Sequence, residues 1–127
     1  MHQYKKLITH GINEPLSKIP FHSKSPVKRT LMLGKKLIPA SNIHLAVHQV
    51  DTNKKISKYS NLHKHDVDEV NIILSHDKSL VYEIQLEDEI YKVRSPSTIF
   101  IPKGIKHRAD VVSGKGVFVC LIMSNKY

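Results

Sequence analysis

The chain has 127 residues, a formal net charge of +9, 40% hydrophobic residues, one cysteine and no tryptophan. This length suits one domain with its own core and excludes two, while a single cysteine excludes an internal disulfide. No run approaches the roughly 20 apolar residues of a membrane span, and the first eight residues lack the apolar core of a signal peptide, so a cytoplasmic protein without membrane attachment is expected.

Residues 1–40 stand apart in composition. They hold four of the six prolines, and eight basic side chains against Glu14 alone, which leaves residues 41–127 nearly neutral. Proline at this density disfavours long regular elements. The expected structure is an irregular arm with a short strand at residues 30–38, packing on the outside of a barrel or on a second subunit. Its basic residues are scattered, no block exceeds two, and no aromatic residues interleave. They read as solvated charge, and nucleic acid is not the expected partner.

From residue 43 the texture changes. Short apolar runs at residues 43–50, 56–59, 69–74, 80–86, 90–93, 98–101, 106–112 and 117–123 are cut by turn-forming stretches such as Pro102-Lys103-Gly104 and Ser113-Gly114-Lys115-Gly116. This spacing predicts an all-β domain over residues 41–127, and eight short strands fit a jelly roll. Alternation assigns the faces. Leu80, Tyr82, Ile84 and Leu86 share one apolar side. His107 shares its side with Ala109 and Val111, which turns Arg108 and Asp110 away. Glu69 shares its side with Asn71 and Ile73, yet the opposite side, Val70, Ile72 and Leu74, is just as apolar. One face should therefore line a pocket, and the other should pack on a second sheet or a partner subunit, which makes a homodimer the expected assembly. Cys120 lies in the apolar run 117–123 and reads as a buried, inert thiol.

Two short stretches carry the chemistry. In the first, His63 and His65 stand two residues apart and Glu69 follows four residues later; in the second, His107 stands three residues past the turn Pro102-Lys103-Gly104. Residues two apart on an extended segment point the same way, so His63 and His65 can aim at one point. Three imidazoles and a carboxylate are a ligand set for one divalent transition metal: Fe, Mn, Ni, Co or Zn.

These residues resemble the two signature motifs of the cupin superfamily, a His-x-His with a following glutamate and a later histidine after Pro-x-Gly. The resemblance runs from about residue 43 to residue 123. It implies a cupin-type jelly roll, a double-stranded β-helix, in a small single-domain protein. In metal-dependent cupins these four positions bind the ion, which implies His63, His65, Glu69 and His107 as ligands. The chain departs from the family pattern at Ser57, His76, Pro96 and Val111, positions that shape turns and packing and do not ligate.

Beside a divalent ion, one carboxylate leaves a net charge near +1, which favours a mono-anionic ligand such as a carboxylate or a deprotonated hydroxy-ketone. The leading expectation is a metal-dependent oxygenase acting on a small organic substrate. A redox-neutral isomerase, epimerase or lyase acting on a sugar or hydroxy acid is the alternative. A non-catalytic module that senses a metal or small ligand is the third reading. Proton transfer in either enzyme would fall to Tyr82 or His48, with His44 a further option, and His44, Asn71 and Tyr82 are expected to line the substrate pocket.

Overall fold

The computed structural model describes residues 3–15, 27–52 and 60–124. Among these residues a single 3-10 turn, Lys5–Leu7, precedes nine strands: β1 Ile12–Asn13, β2 Lys28–Leu33, β3 His44–Asp51, β4 Glu69–Leu74, β5 Val81–Leu86, β6 Glu89–Arg94, β7 Ser97–Ile101, β8 His107–Ser113 and β9 Lys115–Ile122. The run at residues 56–59, and Ser57 with it, lies outside the described residues. Six strands form one sheet in the order β1-β2-β3-β9-β4-β7, and three form a second in the order β6-β5-β8. All pairings are antiparallel. This is the expected all-β jelly roll. Among the described residues no helix is long and apolar enough to cross a membrane.

The core lies between the sheets. Ile73 from β4, Tyr82 and Ile84 from β5, Val111 from β8 and Phe118 and Ile122 from β9 all belong to one buried cluster. The alternation read from sequence holds on β4, where Glu69, Asn71 and Ile73 are buried. Its opposite side is not covered within the described chain. Val70 and Ile72 are half-buried there, and Leu74 is exposed.

Three expectations need correction. The strand placed at residues 30–38 runs from Lys28 to Leu33. It ends there because the chain turns at Gly34, whose carbonyl accepts bonds from the Leu37 and Ile38 amides. This strand does not pack on the outside of the sheet. It pairs edge to edge with β3, placing Arg29 opposite His48 and Leu31 opposite Ala46. Arg29 is consequently not solvated: it is 1% exposed. Asp110 faces away from the core side of β8, as alternation requires, and is buried there. Arg108 Nη1 donates to it at 2.9 Å and the Ser60 amide at 2.9 Å, so its charge is compensated where it sits.

Gly114 marks the crossing from β8, in the smaller sheet, to β9, in the larger. Its φ is +101°, and a Cβ added there would stand 2.2 Å from the Ser79 carbonyl oxygen. Only glycine fits both the backbone angle and the close approach.

Candidate metal centre

Backbone pairing brings the two motifs together. His63 and His107 form an isolated antiparallel bridge, each amide donating to the other's carbonyl, at 3.0 Å and 2.7 Å. Beside it, the Gly104 amide donates to the His65 carbonyl at 2.8 Å, and the Lys103 amide donates to Asp68 Oδ1 at 2.9 Å. The Pro102–Gly104 turn needs glycine at its end, because Gly104 has φ +82°. Two segments far apart in sequence are thus laced at four points, and their histidines meet. The ring centroids lie 5.1 Å apart for His63 and His65, 4.5 Å for His63 and His107, and 5.5 Å for His65 and His107.

The hydrogen bonds of the rings decide which nitrogens face inward. His63 Nδ1 donates to the Asn61 carbonyl at 2.6 Å, and His107 Nδ1 donates to the Ile105 carbonyl at 2.9 Å. A carbonyl oxygen only accepts, so in the neutral ring Nδ1 carries the proton and Nε2 keeps its lone pair. That is the arrangement a metal-binding imidazole needs, with the non-ligating nitrogen held by a backbone acceptor. The three histidines offer ligand atoms within 4.8 Å of one another, close enough to converge on one ion.

Glu69, the first residue of β4, completes the group. Its Oε1 lies 3.1 Å from His107 Nε2 and 3.5 Å from His65 Nε2. Two ligands each about 2.1 Å from one ion stand roughly 3.0–3.4 Å apart, so these spacings suit a shared ion. Oε2 faces the other way, accepting from Asn71 Nδ2 at 2.8 Å and from the Cys120 thiol at 3.6 Å. Asn71 therefore fixes which carboxylate oxygen faces the histidines.

Burial and charge set the protonation states. Burial pushes His63 down to about 4, against the opposing pull of the Asn61 carbonyl. His65 is lowered too, again mainly by burial. Burial opposes a charge on His107, but the Glu69 hydrogen bond and carboxylate outweigh it and hold its pKa above the ordinary histidine value. Burial likewise opposes the Glu69 anion, and the bonds from His107 and Asn71 reverse that effect. At neutral pH the group offers a carboxylate and two neutral imidazoles, with the third imidazole bonded to the carboxylate.

His63, Glu69 and His107, but not His65, border a small cavity with about 20 Å³ open to the centre of a water molecule. That is room for about one water-sized group. Of the residues expected in the pocket, Asn71 lines it and His44 does not. His48 lines it as well, but its Nε2 accepts from Arg29 Nη1 at 3.1 Å. His44 Nε2 accepts from Arg29 Nη2 at 3.1 Å, and its pKa is lowered by burial and by that guanidinium. Tyr82 does not border the cavity. It is fully buried in the core and stacked on Phe118, with centroids 4.4 Å apart. The strand register explains why. Leu86 is the β5 residue opposite His107, and Tyr82 lies four positions along, opposite Val111. At ~3.3 Å per residue that is about 13 Å.

The cavity wall also includes Arg29 and Cys120, neither anticipated as a site residue. Cys120 is the buried thiol expected from sequence, its pKa raised by burial and by Glu69. For Arg29 a signal was present. Val27, Arg29 and Leu31 alternate with Lys28 and Thr30, so a strand there turns Arg29 to the same side as two apolar residues.

No protein-family model and no curated protein matches the chain. Solved structures do. A cupin 2 domain-containing protein from Halorhodospira halophila superposes with a TM-score of 0.62 at 14% identity, over 94% of this chain and 80% of that one. The polyketide cyclase RemF from Streptomyces resistomycificus gives 0.58 at 17% identity, over 96% and 78%. Oxalate decarboxylase from Bacillus subtilis, a protein with Mn(II) centres, gives 0.58 at 10% identity, over 94% of this chain and 31% of that longer one. Identities this low speak for architecture, and the architecture is consistent across them: the chain has the cupin fold.

Proposed function

We propose that the protein is a metal-dependent enzyme of the cupin type, in which His63, His65, Glu69 and His107 hold one divalent transition metal. The observation that carries this reading is the orientation of the ligand atoms. The Nδ1 atoms of His63 and His107 are tied to backbone carbonyls, and Glu69 Oε1 lies beside the Nε2 atoms of His65 and His107. A bound metal would supply Lewis acidity or a redox couple at this point. The protein's own side chains fix the carboxylate through Asn71 and exclude bulk water with Phe118, Ala109 and Cys120.

The reaction favoured is oxygenation of a small anionic or hydroxy-carbonyl compound. Isomerisation and epimerisation require a side chain that moves a proton, and the candidates are poorly placed for it. The Nε2 lone pairs of His44 and His48 accept from Arg29, and Tyr82 lies away from the cavity. A redox reaction makes less demand on a separate base. The test is oxygen uptake by the Fe(II)-loaded protein across a panel of small keto acids, hydroxy acids and diols. Substrate loss that stops without oxygen is expected. Turnover that continues anaerobically would move the assignment to redox-neutral chemistry. Tight binding of a panel compound without turnover would move it to a sensing module.

A homodimer through the outer face of the larger sheet belongs to the same proposal. The register sets Leu45, Leu121 and Val70 in one row and Val47, Val119 and Ile72 in the next, all on the side away from the core. Sedimentation at micromolar concentration should give twice the chain mass. A monomer would refute the assembly without touching the metal site.

A further inference from the structure

The hairpin of β5 and β6 is divided by charge. Three of the chain's eleven acidic residues, Glu87, Asp88 and Glu89, stand together at its turn, although the chain as a whole carries +9. Lys92 and Arg94 occupy the far end of β6. This strand is also an edge of the smaller sheet, whose order is β6-β5-β8. It pairs with β5 over six positions without a bulge and contains no proline, so neither of those devices blunts the edge. Both faces of β6 carry exposed apolar side chains: Ile90 is 56% exposed and Tyr91 47%. The backbone groups follow a fixed order. A two-residue turn closes on a hydrogen-bonded pair, here Leu86 with Glu89, so Glu89, Tyr91 and Val93 direct their amides and carbonyls at β5. The Glu87 amide fits this order, donating to the Lys106 carbonyl on the β8 side at 2.8 Å. Ile90, Lys92 and Arg94 therefore turn their backbone groups outward, toward no other strand among the described residues.

We propose that β6 docks on β6 of a second copy of the chain, antiparallel and about a two-fold axis at Tyr91, joining two three-stranded sheets into one of six strands. Charge sets both direction and register. Antiparallel pairing lays the acidic turn of each copy beside the basic end of the other. With Tyr91 opposite its own counterpart, Asp88 comes level with Arg94 of the second copy and Ile90 with its Lys92. Ile90 and Lys92 then exchange backbone bonds across the axis, and the lysine stem lies over the isoleucine. Arg94 Nη1 donates to the Lys78 carbonyl at 3.3 Å, a neutral partner that leaves the positive charge to meet Asp88. Neighbouring registers fit less well. An axis at Lys92 sets two lysines against each other, and an axis at Ile90 carries Arg94 past the turn of the second copy. One pair of edge strands covers less than the ~1,200 Å² of a stable interface, so this contact forms above micromolar concentration and is separate from the one through the larger sheet.

The experiment compares oxidative cross-linking of three full-length variants, Ile90→Cys, Tyr91→Cys and Lys92→Cys, well above micromolar concentration. The native Cys120 is buried and contributes little background. Facing residues of a pair without backbone bonds have Cα atoms about 4.5 Å apart, within disulfide reach. Each of the other two cysteines would face its counterpart diagonally at about 7–8 Å, beyond the roughly 7 Å a disulfide spans. Tyr91→Cys should therefore form the linked dimer roughly tenfold faster than either. Two substitutions added to Tyr91→Cys probe the cause. Lys92→Pro removes an outward-facing amide, leaves the β5–β6 backbone bonds in place and should abolish the cross-link. Asp88→Lys sets like charges level and should slow it severalfold. Equal rates at the three positions, a fastest rate at 90 or 92, or a Tyr91→Cys rate that neither substitution changes would overturn the proposal. Should Lys92→Pro disturb the fold, the comparison of positions and Asp88→Lys decide it. None of these changes lies on the larger sheet, so sedimentation of the same variants still decides that assembly.

Discussion

Glu69→Gln tests the metal centre with the smallest change of shape. The carboxylate uses its two oxygens differently. Oε1 faces His107 and His65 at 3.1 Å and 3.5 Å, whereas Oε2 accepts from Asn71 at 2.8 Å. Glutamine has one oxygen and one amino group, so it can satisfy only one side. With its oxygen toward Asn71, the amino group faces the histidines and offers no lone pair to an ion. Reversed, it sets two amino groups against each other and leaves a buried donor unpaired. The reversed orientation costs about 1–3 kcal/mol in metal-free protein, and the first exchanges the charged bond to His107 for a weaker neutral one. A metal present at 100 times its dissociation constant adds about 2.7 kcal/mol to the wild type. For a domain of this size 1 kcal/mol moves the melting temperature by about 3–5 °C, so metal should raise it by roughly 10 °C. The assay is thermal unfolding with and without Zn(II) or Ni(II), beside elemental analysis. The variant should melt lower when metal-free, gain only a few degrees from metal and retain less of it. Wild-type metal content together with a wild-type shift would refute Glu69 as a ligand.

Three further outcomes follow from contacts outside the metal group. Asp110→Ala should cost about 2–4 kcal/mol in urea unfolding, since it strips a buried acceptor from the Ser60 amide and one of the two carboxylates bonded to Arg108; a loss under 1 kcal/mol would show that the network is not a structural staple. Gly114→Ala should be far more damaging than Gly104→Ala, because both have positive φ but only at Gly114 does the new Cβ meet backbone, 2.2 Å from the Ser79 oxygen. At Gly104, with nothing within 4 Å, the left-handed conformation alone should cost about 1–2 kcal/mol; equal losses would contradict the close packing at the sheet crossing. His44 has a pKa lowered by burial and by Arg29, so its neutral form is favoured by folding. That contribution is fully present above the unfolded value of 6.5 and is lost as pH falls through the lower folded value. His44→Gln, which keeps an acceptor for Arg29, should therefore flatten the decline in stability below pH 6.5, and an unchanged slope would reassign that decline to other groups.

The sequence was most legible where function depends on local spacing, and least where it depends on register between distant strands. The histidine and glutamate motifs could be read because ligands two or four residues apart share a side of an extended chain whatever surrounds them. Alternation placed Tyr82, Asn71 and Asp110 on the correct sides of their strands. It says nothing, however, about position along the sheet. Tyr82 and Leu86 share a side of β5, yet only Leu86 is level with His107. Asp110 points away from the core, but whether that means water or a buried ion pair depends on Arg108 and Ser60, the latter fifty residues earlier. Arg29 is the strongest case. The composition of residues 1–40 suggests solvated charge, and only the pairing of β2 with β3 carries Arg29 beside His44 and His48. The candidate metal-binding group is thus assembled from two recognisable motifs. Part of the cavity wall comes from β2, a strand whose role no motif announces, so the lining can vary in such a fold while the histidines and the glutamate stay fixed.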